Sequence, residues 1–194
     1  MRSVHISYGL LFRRTYFPEF SAILFGVIIV VFGPVASGKS TIARIIAERL
    51  PGSRLISSDM FRRKTYNRLI REVERLKELH RYVVVDGTFY KGKWREELLK
   101  AAGDTPVVWV YVRCSLETCL RRNRERGSPV PERAVHIIWS EFEPPEKPDV
   151  EVDTDRLKPE EAAEIVLSFV GAPSRLERAF RGSSQRSSTS VPDP

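Results

Sequence analysis

Cysteine is almost missing from this 194-residue sequence: only Cys114 and Cys119 occur, five residues apart. That spacing matches neither a zinc knuckle nor a C-x-x-C redox pair, so a disulfide-stapled scaffold and a Cys-rich metal module are both excluded. The two read as core or helix-face residues of a reduced, cytosolic protein. Methionine numbers two and histidine three. Neither His80 nor His136 has a motif partner, so no histidine-based chemistry is expected. Long apolar runs are lacking too. The stretch from Phe20 to Phe32, behind Arg13 and Arg14, is stopped by Gly33-Pro34 before it could span a bilayer, so no membrane partner is expected. A signal-peptide reading fails because cleavage after Val35-Ala36-Ser37 would cut through a glycine loop. No internal repeat is present. No Asn-Lys-x-Asp segment occurs either, which argues against a guanine-reading GTPase switch.

What is present fits one α/β domain with a modest tail, long enough to bury a core without cross-links or metals. The formal net charge of +7 favours anionic partners such as nucleotides, sulfated metabolites or nucleic acid. The expected division is an arm over 1–24, a domain over 25–171 and a Ser/Arg/Pro-rich tail over 172–194 that reads as disordered.

Within the domain, apolar runs alternate with amphipathic ones. The Val/Ile-rich segment from Val27 to Phe32 predicts a strand buried on both faces. Helical spacing of Ile42, Ile45, Ile46 and Leu50 predicts a helix from Thr41 to Leu50. A second strand is expected from Arg54 to Ser58, closing on Asp59, followed by one long charged helix from Met60 to His80. Further strands are expected at Tyr82 to Val85, Pro106 to Arg113 and Val150 to Val152. Helices are expected from Lys93 to Ala102, from a Ser115 cap to Arg126, from Pro131 to Phe142 and from Pro159 to Val170. This alternation predicts a three-layer α/β sandwich of the P-loop type: a five-stranded parallel sheet with helices on both faces. Chemistry then belongs at the carboxyl ends of the strands.

The residues expected there are the ones with chemistry to offer. Gly33-Pro34-Val35-Ala36-Ser37-Gly38-Lys39-Ser40-Thr41 follows a strand and opens a helix, the context in which G-x-x-x-x-G-K-S cradles phosphates. All nine are expected to bind ATP, with Lys39 bridging the β- and γ-phosphates and Ser40 ligating Mg²⁺. Asp86, after Val83-Val84-Val85, stands where a carboxylate holds the metal or its water shell, or merely ends a strand. Asp59 is placed to orient or deprotonate an acceptor hydroxyl, or to cap the helix after it. Arg121, Arg122, Arg124 and Arg126 crowd one helix, either as a mobile lid that stabilises transferring phosphate or as a solvated basic face. Arg122 and Arg126 are the candidates for catalysis. Arg62, Arg63 and Lys64 suit a substrate phosphate or sulfate, or plain solvation. Tyr90, Trp94 and Trp139 read as core packing or as an aromatic wall for a base.

From Val27 to Gly171 these segments resemble the kinase branch of P-loop proteins that includes adenylylsulfate kinase, phosphoseryl-tRNA kinase and 5′-polynucleotide kinase. Ile56-Ser57-Ser58-Asp59-Met60-Phe61-Arg62 is similar to the strand-end aspartate segment of polynucleotide and seryl-tRNA kinases. The run from Asp86 to Arg95 resembles a segment shared by seryl-tRNA kinase and the Elongator-associated tRNA-modification ATPase. Ser115 to Asn123 again resembles seryl-tRNA kinase, while Glu143 to Asp149 with Val152-Asp153-Thr154 resembles the close of adenylylsulfate kinases. Two features depart from these patterns: Asp86-Gly87-Thr88 replaces the serine-led substrate loop of adenylylsulfate kinases, and their Lys-Gly-Leu-Tyr segment is missing after Arg126. The resemblance implies an ATP- and Mg²⁺-dependent phosphotransferase acting on a hydroxyl of a nucleotide-like metabolite or of a tRNA- or RNA-linked acceptor. The competing implication is a tRNA-modification accessory that hydrolyses ATP without phosphorylating a substrate.

Overall fold

The computed structural model describes residues 26–63, 65–127 and 129–171. The arm expected over 1–24 and the tail expected over 172–194 lie outside the described residues.

Five strands form one all-parallel sheet: β1 (Val27–Phe32), β2 (Ser53–Ser57), β3 (Tyr82–Gly87), β4 (Val107–Arg113) and β5 (Val150–Asp153), in the order β2-β3-β1-β4-β5. The two innermost strands show why the apolar runs read as fully buried. Every residue of β1 is buried, and in β3 only Tyr82 is partly exposed. Alternate residues of β1 feed different cores. Ile29 and Val31 pack with Ile42 and Ile46 of helix α1 (Lys39–Arg49) and with the later helix Pro159–Val170. Ile28, Val30 and Phe32 pack on the other face with Leu69, Val73 and Leu76 of α2 (Thr65–Leu76) and Leu98 and Ala102 of α3 (Gly92–Ala102). Helices α4 (Leu116–Glu125) and α5 (Glu132–Ser140) pack beside the glycine loop, and α6 is the closing helix Pro159–Val170.

Three expectations need correcting. The single helix from Met60 to His80 is instead a 3₁₀ turn, Ser58–Met60, followed by α2, because Phe61 is extended (φ −119°, ψ 119°) and packs toward the core. Asp59 therefore does not end a strand; it lies in the 3₁₀ turn, one residue beyond Ser58, and is exposed. Cys114 and Cys119 are not a reduced pair: they form a disulfide, with Cα atoms 6.6 Å apart. The chain turns at Ser115, whose side chain accepts from the Thr118 amide, and that turn folds the first helical turn of α4 back over the end of β4. The five-residue spacing could not show this closure.

The first glycine of the loop is locked in by its neighbour strand. A Cβ on Gly33 would lie 2.0 Å from the Val112 carbonyl oxygen, a backbone atom that cannot swing aside. Gly33→Ala is expected to push β4 from the loop and lower stability by at least ~2 kcal/mol, read as a fall of several degrees in thermal midpoint. An unchanged midpoint would show that the loop yields there without cost.

Candidate active site at the strand ends

Between β1 and α1 the chain wraps tightly. Gly38 has φ 92° and Ala36 φ 61°, both left-handed, and the Ser37 amide donates to the Pro34 carbonyl at 3.3 Å. Helix α1 starts at Lys39 with no side-chain cap and no acidic residue in its first turn. The amides of Lys39 and Ser40 precede the first intrahelical bonds, which Thr41 and Ile42 make to the Gly38 carbonyl, and the first turn itself carries no acid to meet the helix dipole. This arrangement suits a bound anion, phosphate above all.

Four charged groups converge on that loop. Lys39 is half-buried, and its Nζ donates to the Pro34 carbonyl at 3.3 Å. Burial lowers the pKa of its ammonium; Asp86 and then Asp59 act to raise it, and Arg126 adds to the lowering. Asp86, Asp59 and Arg126, which come from three separate segments, thus lie within electrostatic reach of Lys39. Asp86 is buried at the end of β3, in register with Ser57 on one side and Val31 on the other. Its Oδ2 accepts from the Ser57 hydroxyl at 2.9 Å, while its Oδ1 is buried without a hydrogen-bond partner among the described residues. An orphaned carboxylate oxygen here fits a hydrated divalent cation. Among the described residues no group of three or more His, Cys, Asp or Glu could hold a metal ion alone. That combination suits Mg²⁺, which is held through one or two protein oxygens together with substrate phosphates. Ser40, exposed at the start of α1, offers the second oxygen.

The arginines of α4 and its C-cap separate once their partners are known. Arg121 pairs with Glu125 and Arg124 with Glu132, so both are engaged on the surface. Arg122 reaches the glycine loop: its guanidinium donates to Thr154 Oγ1 at 2.9 Å, to the Thr154 carbonyl at 2.7 Å and to the Ser37 carbonyl at 3.5 Å. Arg126, at the C-cap of α4, is exposed and within electrostatic reach of Lys39. Asn123, buried beneath them, clamps the following loop through paired hydrogen bonds with Val130.

An aromatic wall forms where α2, the end of β3 and α3 meet. Tyr66 stacks on Trp94 with ring centroids 4.9 Å apart and accepts from the Phe89 amide at 2.9 Å. Burial pushes the Tyr66 phenol up to about 12. Arg95 donates to the Phe89 carbonyl at 2.8 Å and lies over the Phe32 ring. The three aromatics singled out in the sequence do not gather: Trp94 is in this wall, Tyr90 lies under Lys91, and Trp139 packs beside the disulfide and Val35.

Several positioning residues were not singled out by the sequence. Ser57 holds Asp86. Thr154, buried just past β5, accepts from Arg122 and donates from its hydroxyl to the Ser37 carbonyl at 2.9 Å. A hydroxyl directly after a strand, at the end where loops carry chemistry, is the signal that marks Thr154.

With this geometry established, comparison with known proteins becomes informative. A family model described as an AAA domain matches residues 28–145. An L-seryl-tRNA(Sec) kinase of Methanococcus maripaludis is 26% identical over 151 residues, covering 66% of this chain and 59% of that protein. A probable adenylyl-sulfate kinase of Halalkalibacterium halodurans is 35% identical over 98 residues, covering 46% of this chain and 48% of that one. The chain spans about half the length of these curated relatives. Among solved structures, the Mycobacterium tuberculosis APS kinase in complex with AMPPNP and APS superposes with a TM-score of 0.57 at 19% identity, covering 73% of this chain and 96% of that one. That likeness bears on the fold. Among the described residues no helix is long and apolar enough to cross a membrane.

Proposed function

The chain belongs to the AAA domain family, and on that footing we propose that it is a Mg²⁺-ATP-dependent kinase that moves the γ-phosphate to a hydroxyl of a nucleotide-like or RNA-linked acceptor. One observation carries the reading: an uncapped helix N-terminus behind a left-handed glycine loop stands beside Asp86, buried at the end of the neighbouring strand with one oxygen lacking a partner among the described residues. Bound Mg²⁺ would supply charge neutralisation across the β- and γ-phosphates. The glycine loop from Gly33 to Thr41 wraps the phosphates, its unengaged amides donating to them, and Lys39 lies along the transferring group. Asp86 and Ser40 provide oxygens to the metal shell, with Ser57 orienting Asp86. Arg126 meets the charge that spreads over the moving phosphoryl group, while Arg122, committed to Ser37 and Thr154, keeps the loop and the arm in register.

Asp59 takes the acceptor side. It is exposed, and both Lys39 and Tyr66 lie within its electrostatic reach. There it orients the attacking hydroxyl and receives its proton as the new P–O bond forms. A cytoplasmic setting belongs to this reading, and the Cys114–Cys119 link is shielded from reductants there, since Cys114 is 4% and Cys119 0% exposed.

The acceptor is identified by incubating the protein with γ-labelled ATP and adenylylsulfate, seryl-tRNA, 5′-hydroxyl RNA and nucleosides in parallel. Label in one product is expected. Phosphate release without a labelled product would instead favour the hydrolytic accessory, a reading the two curated kinases do not support. With the acceptor known, Asp59→Asn is expected to slow single-turnover transfer by on the order of 10²-fold while ATP affinity stays at the parent value. Transfer at the parent rate would reduce Asp59 to a turn residue.

A further inference from the structure

The exposed arginines of this protein fall into two groups. Many are neutralised: Arg49 pairs with Glu164, Arg113 with Glu151 and Asp153, Arg121 with Glu125, Arg124 with Glu132 and Arg156 with Asp153. Arg62, Arg63, Arg68 and Arg71 are exposed and, like Arg44, Arg54, Arg81, Arg126 and Arg133 elsewhere in the fold, form no ion pair among the described residues; what distinguishes the four is that they follow one another within ten positions.

These four belong to the one stretch that runs from the Asp59 turn into α2. Arg62 and Arg63 follow the turn that carries Asp59, after Phe61. Arg68, Arg71 and Arg75 recur along α2 at intervals of three and four, which sets them on one ridge of the helix. Another face of the same helix, Leu69, Val73 and Leu76, is buried against the sheet, so the ridge is held rigidly outward. Of the two acids on α2, Glu74 is exposed and Glu72 is already engaged. Glu72 accepts from Arg75 at 2.5 and 3.1 Å, and Arg54 of β2 adds its field to the same carboxylate. The near end of α2 is tied to the crevice through Tyr66 and Phe89, and Met60, 66% exposed, sits at the head of the ridge beside Asp59.

Uncompensated like charges on one surface repel each other, and they are stabilised by a ligand whose negative charges repeat along the same line. Arg68 and Arg75 are ~10 Å apart along the helix axis. A sulfate or a single phosphate would meet one or two of the guanidinium groups; a sugar-phosphate backbone would meet the whole row, bidentately where the fork geometry allows. We propose that the acceptor hydroxyl is carried on a polynucleotide whose backbone runs from the crevice mouth along the arginine ridge of α2. The proposal rests on the kinase reading for the word acceptor. The binding itself requires no transfer.

The test measures binding and catalysis separately, on the full chain. Fluorescence anisotropy is recorded with a labelled 5′-hydroxyl RNA oligonucleotide, DNA of the same sequence and unfractionated tRNA, across a salt series. At least one polynucleotide is expected to bind with a log K against log salt slope of about −3, four phosphate contacts at ~0.7 each. The tightest arm identifies the kind of polynucleotide. Arg68→Ala with Arg71→Ala is expected to make that slope shallower by about 1.4 and to weaken binding at low salt by at least about tenfold. ATP affinity and thermal midpoint should stay at the parent values, and Arg133→Ala, away from the ridge, should change nothing. The proposal is overturned if the parent binds ATP yet shows no salt-dependent polynucleotide binding. It is equally overturned if the double variant keeps the parent slope, or if phosphatidylserine vesicles bind the ridge while all three polynucleotides do not. Failure of the kinase reading looks different: intact polynucleotide binding with no phosphate transferred to any acceptor.

Discussion

Lys39→Ala is expected to remove phosphoryl transfer, by ~10³-fold or more in single-turnover rate, and to leave the fold at least as stable as the parent. The two halves of this result have separate causes. The ammonium is the one mobile cation rooted in the glycine loop, and charge spreading over the moving phosphoryl group has no equal partner once it is gone. In the protein without nucleotide, however, burial disfavours the charged form of Lys39, more than Asp86 and Asp59 favour it, as its lowered pKa records. Between the lowered and the ordinary pKa the unfolded chain binds more protons than the folded one, so the parent gains stability as pH rises through that window. Alanine abolishes this dependence. Thermal denaturation at pH 7 should give an equal or higher midpoint for the variant, and transfer at the parent rate would remove the phosphate-binding assignment altogether.

Asp86→Asn is expected to have the second largest effect. The carboxylate has one oxygen held by Ser57 and the other buried without a partner among the described residues, so it is oriented in advance for a cation. An amide keeps the size but loses the charge, and it offers a donor where a second acceptor is needed. Mg²⁺-dependent ATP affinity and turnover should both fall, the turnover by roughly 10²- to 10³-fold, whereas affinity for ATP measured without Mg²⁺ should hardly change. That split separates Asp86 from Asp59, whose loss is expected to affect turnover alone. Equal losses with and without the metal would assign Asp86 to the support of the loop.

Much of this site was legible before any coordinates, and the reason is the range of the interactions involved. The glycine loop is encoded by neighbours in sequence: a β-branched run, residues that accept left-handed backbone, and a lysine at the first helical position. The alternation of Val-rich runs with amphipathic stretches likewise required one parallel sheet with helices on both faces. Asp59 was harder to read. Its distance from the strand depended on whether Phe61 continued a helix or turned into the core, and only packing against the second core chose the turn. Among the arginines from 121 to 126 the sequence put forward Arg122 and Arg126, but spacing says nothing about which finds an acid and which finds the loop.

Local rules in the sequence by themselves determined the phosphate cradle, the sheet order's parallel sense and the residues available for chemistry, because backbone sterics and hydrophobic periodicity act within a few residues. Tertiary structure alone decided which of those residues meet. Thr154 reaches Ser37 across 117 positions, Ser57 reaches Asp86 across 29, and Cys119 closes on Cys114 through a turn that spacing does not report. Such pairings are products of strand register and helix packing, where the burial of apolar side chains fixes the geometry and the polar groups take whatever partners it brings within reach.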